Sequence, residues 1–181
     1  MRKIVASFFI SLDGVVEAPD QWHFPYFNDE MGAAIGALAA DADAMLMGRV
    51  MYDEWSEFWP KQPADEEFAG FINNVRKYVV STTLDKADWN NSTLVKGDLV
   101  EEITKIKQEP GLNINMSGST NLVRSLLRHG LIDELHLLVH PIAVGTGQRL
   151  FEDGVQIPLK LVSSTTFKTG VLHLAYEVAA K

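Results

Sequence analysis

The stretch DADAMLMGRVMYDEW, Asp41–Trp55, is where the chain declares its architecture. Acidic residues give way to the apolar run Ala44–Met47, too short for a helix and suited to a buried strand. Gly48 and Arg49 follow at once, and Tyr52–Phe58 then reads as a helix that Pro60 and Pro63 stop. A strand that turns on glycine straight into a helix is half of a strand–helix–strand unit, the device that joins parallel strands. The turn also has a chemical use. Glycine lets a ligand approach the backbone, and the first helical turn offers unpaired N–H groups with partial positive charge. Arg49 adds a planar, permanent cation that can grip a phosphate with two hydrogen bonds. By itself the turn also reads as a plain connection.

Outward from this turn the same alternation recurs. Ile4–Ile10 is an apolar strand that ends at Asp13-Gly14, and Val15–Phe27, rich in proline and aromatics, is an ordered loop. Asn28 or Asp29 caps a helix through MGAAIGALAA, and Glu66–Asn74 is another helix. Lys77–Thr83 and Ser92–Gly97 are strands, and Leu99–Gln108 is an amphipathic helix ended by Pro110-Gly111. Leu112–Ser119 is a strand, Asn121–His129 a helix closed by Gly130, and Asp133–Pro141 a strand. Leu159–Phe167 and Val171–Val178 form a hairpin around KTG. The expected fold is α/β: a mixed, mostly parallel sheet of about eight strands, helices on both faces and an antiparallel C-terminal hairpin. In such sheets ligands sit at the carboxyl ends of the strands.

The 181 residues suit a single domain, 1–181, and a chain of that size can bury a core without staples. There is no cysteine, which excludes disulfides, thiolate metal sites and cysteine nucleophiles. The net charge of −8, with no basic cluster, argues against nucleic acid as a partner. MRKIVASFFISLDG superficially resembles a signal peptide, but its short apolar part is β-branched and aromatic and reads as the first strand. No run approaches the roughly 18 apolar residues that cross a bilayer, so no membrane role is expected and the cytoplasm is the default. His136 and His140 have a spacing that would chelate on a helix. On a strand it separates them by about 13 Å, so no metal site is expected.

Two further strand ends resemble the first in chemistry. Ser81, Thr82 and Thr83 place three hydroxyls where a strand leaves the sheet; they can donate to phosphate oxygens or simply cap the next turn. Ser117-Gly118-Ser119-Thr120 lies between a strand and a helix, with Gly118 leaving room for a diphosphate and Thr120 able to cap. It is not the G-x-G-x-x-G dinucleotide fingerprint. All three ends fall on one rim of a parallel sheet. A dinucleotide with an extra ribose phosphate would account for them together: Arg49, Ser81 and Thr82 on the isolated phosphate, the Gly118 turn on the diphosphate.

SFFISLDGVV, AMLMGRVMYDEW, KYVVSTTL, INMSGSTNLVRSLL and DELHLLVHPIAVGTGQRLF resemble, in order and spacing, the dihydrofolate reductase-like superfamily. Within it the likeness is to the C-terminal reductase domain of the bifunctional riboflavin-pathway deaminase-reductase and its stand-alone relatives. It covers essentially the whole chain. The resemblance implies NADPH as hydride donor, a homodimer, and activity like that of a 5-amino-6-(5-phosphoribosylamino)uracil reductase or a dihydrofolate reductase. It also implies that Gly48, Arg49, Val50 and Met51 form the strand-to-helix phosphate turn and that Ser81 and Thr82 lie near the adenosine phosphate. By the same resemblance Ser117, Gly118, Ser119, Thr120 and Asn121 form the diphosphate turn, and Gly145 and Gly147 a loop near the nicotinamide or substrate. Trp22 and Pro25 match the W-x-x-P stretch of folate reductases, but Phe27 stands where their pterin-binding acid would be.

Hydride transfer needs orientation and a proton donor. Asp13 and Asp29 are the candidate catalytic acids; Asp13-Gly14 is otherwise a turn and Asp29 otherwise a cap. A carboxylate desolvated by Trp22, Phe24 and Phe27 would have a raised pKa. Trp22 and Phe27, with their aromatic neighbours, could stack a flat heterocyclic substrate or simply pack as core and lid. The expected function is NADPH-dependent reduction of a small planar heterocycle, a pyrimidine of riboflavin biosynthesis or a pterin-like compound. The alternative is a non-catalytic nucleotide-binding homodimer on the same scaffold.

Overall fold

Strand β1 (Ile4–Ser11) is buried on both faces. Ile4, Ala6, Phe8 and Ile10 enter one core, while Phe9 packs into another on the opposite face. Such two-sided burial belongs to a central parallel strand. The chain continues through α1 (Asp29–Ala40), β2 (Ala42–Gly48), α2 (Arg49–Phe58), α3 (Glu67–Asn74), β3 (Arg76–Val80) and β4 (Ser92–Val95). Then follow α4 (Leu99–Gln108), β5 (Asn113–Met116), α5 (Thr120–Arg128), β6 (Glu134–His140), β7 (Leu159–Thr166) and β8 (Leu172–Val178). This computed structural model describes residues 1–63 and 67–178, so the expected helix start at Glu66 lies outside the described residues.

The strands form one sheet in the order β4-β3-β2-β5-β1-β6-β8-β7. β1 to β6 run parallel, and the C-terminal hairpin adds β8 antiparallel to β6 with β7 at the edge. This is the mixed, mostly parallel eight-stranded sheet expected from the sequence. One core joins β1, β2 and β5 to Ile103 and Ile106 of α4 and to Leu122, Val123, Leu126 and Leu127 of α5. On the other face Met45, Met47 and Val79 meet Met51 and Tyr52 of α2 and Ile72 of α3, while Met31 of α1 meets Leu138.

The boundaries shift for local reasons. α2 starts at Arg49 rather than Tyr52, because Gly48 is the last extended residue (φ −87°, ψ 173°). β3 ends at Val80 rather than Thr83, because the Ser81 hydroxyl accepts the N–H groups of Thr83 and Leu84 and turns the chain out of the sheet. Asn28, not Asp29, caps α1: its Oδ1 accepts the Met31 N–H at 3.0 Å.

The two rims of the sheet differ. The amino-terminal rim is pinned by buried cations: Arg2 pairs with Asp43, and Lys107 with Asp133, whose carboxylate also accepts the Ile4 N–H. The carboxyl rim carries the turns singled out above. Among the described residues no helix is long and apolar enough to cross a membrane.

Candidate functional site

At the carboxyl rim, β3, β2 and β5 are neighbours, so the turns after Val80, Gly48 and Met116 lie side by side. The second and third touch. A side chain on Gly48 would come within 3.0 Å of the Ser119 Cβ and still closer to its Oγ. Glycine is therefore required at position 48 by proximity, not by dihedral angle. Gly118, at φ +159°, has the Met51 sulfur 3.1 Å from where its Cβ would stand.

Both helices that begin here, α2 at Gly48 and α5 at Ser119, lack a side-chain cap. α1 and α4 are capped by Asn28 and Asp98. The N–H groups of Arg49, Val50 and Met51, and of Thr120, Asn121 and Leu122, stand in the unpaired first turns of these helices. Ser119 Oγ is buried and has no hydrogen-bond partner among the described residues. Two adjoining helix starts, an unused hydroxyl and a glycine cradle fit the phosphates of a nucleotide coenzyme. Ser117, which precedes the cradle, is exposed.

Arg49 stands at the outer side. Its guanidinium donates to the Thr83 hydroxyl at 2.6 Å and pairs with Asp53 at 3.3 Å, leaving about half the side chain exposed. Thr82 is exposed beside it. Ser81 is buried and committed to its own turn, so the hydroxyl that meets Arg49 is that of Thr83. A cleft of about 320 Å³ opens next to this corner. Val80, Val95, Leu99 and Leu122 give it apolar walls, and Thr82 and Asn121 polar edges, which suits a flat base.

The remaining turns form a second structure over β1 and β6. Residues 12–16 pair with 142–150: Leu12 donates to Ile142, Val16 to Gln148 and Leu150 to Gly14, with a bridge between Val15 and Arg149. Asp13 is the clasp. Its carboxylate accepts from Ser11 Oγ at 2.6 Å, from the Val144 N–H at 3.0 Å and from the Gly145 N–H at 2.8 Å. The Ser11 hydroxyl, and then the two backbone N–H groups, lower its pKa to about 2. The expectation of Asp13 as a proton donor is thereby corrected: it is ionised at neutral pH and occupied with the loop. Gly147, at φ +117°, passes 2.9 Å from Val15 Cγ1, measured from its absent Cβ. Next to it the Gln148 N–H donates to Glu17 and its side chain to Asn121, which ties this loop to the start of α5.

The aromatic loop closes the third side. Trp22 is buried and donates its indole N–H to the Glu17 carbonyl at 3.2 Å. Phe27 is half exposed and lies over Gly32. Asp29 is exposed in the first turn of α1, outside the aromatic cluster. The groups that the aromatics do bury are histidines. His23 and His140 lie among Phe9, Trp22, Phe24 and Tyr26, and burial pushes both imidazoles below their ordinary pKa. In the sequence His140 stands out only by its spacing from His136, and His23 does not stand out. The available signal was a polar ring inside the aromatic run Trp22–Phe27.

Residues 2–173 match the profile of the RibD C-terminal domain. The chain is 31% identical over 180 residues to the uncharacterized protein YyaP of Bacillus subtilis (strain 168), covering 97% of this chain and 94% of that one. Its fold is similar to that of a protein from Shewanella sp. PV-4 assigned to riboflavin biosynthesis, with a TM-score of 0.80 at 21% identity over 98% of this chain and 99% of the other. It is also similar to dihydrofolate reductase from Enterococcus faecalis complexed with NADP(H), with a TM-score of 0.61 at 12% identity over 97% and 94%.

Proposed function

The chain belongs to the RibD C-terminal domain family, and from that premise we propose that it is an NADPH-dependent reductase of a small planar heterocycle, of the pyrimidine or pterin kind. The observation that carries this reading is the contact between Gly48 and Ser119. It sets two uncapped helix starts side by side beneath one unpaired hydroxyl. Bound NADPH would supply the hydride.

The residues around it have separable tasks. The first turns of α2 and α5, with Ser119 Oγ, hold the diphosphate. Arg49, positioned by Thr83 and Asp53, takes the ribose phosphate that distinguishes NADPH from NADH. The cleft between Val80, Val95 and Leu122 receives the adenine. Asp13 keeps the 142–150 loop folded over β1 and β6, where Gly145 and Gly147 border the reacting end. The loop around Trp22 excludes water from that end.

Titration with NADPH and NADH, followed by tryptophan quenching, tests this. Arg49→Ala is expected to weaken NADPH by about 10- to 100-fold, the range of a charged hydrogen bond, and to leave NADH nearly unchanged. Equal losses for both coenzymes would remove Arg49 from the phosphate. No saturable binding of either would end the reductase reading.

A further inference from the structure

Beyond the coenzyme cradle lies a second polar feature that the proposed reaction has not used. His140 ends β6 and stands in register with Ser11, the last residue of β1. The residue is fully buried. Its Nδ1 lies 2.7 Å from the Leu138 carbonyl oxygen, which can only accept, so Nδ1 carries the proton and Nε2 presents a bare lone pair. Nε2 makes no hydrogen bond among the described residues, although the Ile10 carbonyl as well as that of Leu138 acts on the ring. The nearby indole N–H of Trp22 is already committed to the Glu17 carbonyl. A buried acceptor without a donor costs free energy, and native structures rarely leave one unexplained.

The rings around His140 suggest what supplies the donor. Phe9, Trp22, Tyr26 and His23 all stand nearly perpendicular to it, with centroids 5.2 to 6.1 Å away. His23 lies flat on Phe9, at 4.5 Å and 11°, as a heterocycle would. It too is more than nine-tenths buried, and its Nδ1 is unpartnered among the described residues. The place is two strand spacings, about 10 Å, from the Ser119 turn after β5, within reach of the ring of a coenzyme held there.

Building on the reductase reading, we propose that His140 Nε2 accepts an N–H group of the substrate, a lactam heterocycle that stacks on Phe9 in the place now taken by the His23 ring. His140 then sets specificity: it admits rings with an N–H on that edge and rejects their N-alkylated analogues, which would leave the nitrogen unpaired. His23 is the group the substrate displaces when the Trp22–Phe27 segment moves.

The test uses a matched pair, 5,6-diaminouracil and its 1,3-dimethyl derivative, titrated into the NADPH-loaded protein. Tryptophan fluorescence is one readout and the imidazole ¹⁵N signals of labelled protein the other. Diaminouracil is expected to bind about tenfold more tightly than the dimethyl compound. It should also shift the Nε2 resonance of His140. His140→Phe should bring the two ligands within about twofold of each other while leaving NADPH affinity unchanged. His23→Ala vacates the seat and should raise the affinity for diaminouracil.

Equal affinities in the unaltered protein, no binding of either compound, a motionless Nε2 signal, or a preference that survives in His140→Phe would each overturn the proposal. So would a loss of affinity in His23→Ala. If His140→Phe does not fold, the ligand pair and the Nε2 signal decide. Failure of NADPH to bind defeats the reductase reading alone, because the Nε2 signal can still be followed in the coenzyme-free protein.

Discussion

Replacing Gly48 by alanine isolates the contact on which the proposed coenzyme site depends. Gly48 is extended, at φ −87°, so alanine meets no backbone penalty there. What it meets is Ser119, whose Cβ would lie 3.0 Å from the new methyl group. Carbon atoms sit comfortably at about 3.5 Å or more, so the two turns must part by about half an ångström. Rotating the Ser119 hydroxyl away cannot relieve this, because the Cβ itself obstructs.

Overpacking of this size costs about 1–3 kcal/mol. In a chain of this length each kcal/mol lowers Tm by about 2–4 °C. Gly48→Ala should therefore melt about 2–12 °C below the parent protein. Ser119→Gly removes both obstructing atoms, so adding it should recover most of the loss in a double-mutant cycle. NADPH affinity should not recover with it, since the hydroxyl is then gone. The cycle is read by thermal denaturation without coenzyme and by NADPH titration. If Gly48→Ala melts with the parent, or if Ser119→Gly brings no relief, the two turns do not abut and the cradle has been misassigned.

Two titrating groups give further expectations. Asp13 has its folded pKa lowered to about 2 by Ser11 and the Val144 and Gly145 N–H groups, so its contribution to stability is complete above its ordinary value of 3.8 and is lost as pH falls towards 2. Asp13→Asn should flatten the urea midpoint between pH 4 and 2; an unchanged slope would mean the clasp is not formed. Lys77 is fully buried, with Nζ donating to the Asn73, Val75 and Asn90 carbonyls and standing 4.2 Å over the Trp89 ring. Burial pushes its pKa down from 10.5 to about 8, so the unfolded chain binds more protons between those values and stability rises with pH across that window. The carbonyls favour the charged form and oppose the shift, so the rise is at most about 3 kcal/mol. Lys77→Met should abolish it, as compared by denaturant midpoints at the two ends of the window.

Much of this protein is legible in one dimension. The short apolar runs, the glycines after Met47 and Ser117, and the caps and prolines that bound the helices are local features, set by residues within a turn or two of one another. They suffice for the alternation of strands and helices, for a parallel sheet, and for three glycine- or hydroxyl-bearing turns on one rim. The folded chain alone decides that β5 inserts between β2 and β1, which brings Ser119 against Gly48 from 71 residues away. It alone pairs residues 12–16 with 142–150, turning Asp13 from a candidate acid into a clasp. And it alone buries His23 and His140 together, one from a loop and one from a strand end. Burial, an unpaired nitrogen and a lowered pKa depend on neighbours distant in sequence. Such contacts form when apolar area leaves water and the loops between them close, and neither event leaves a signature in any short run of residues.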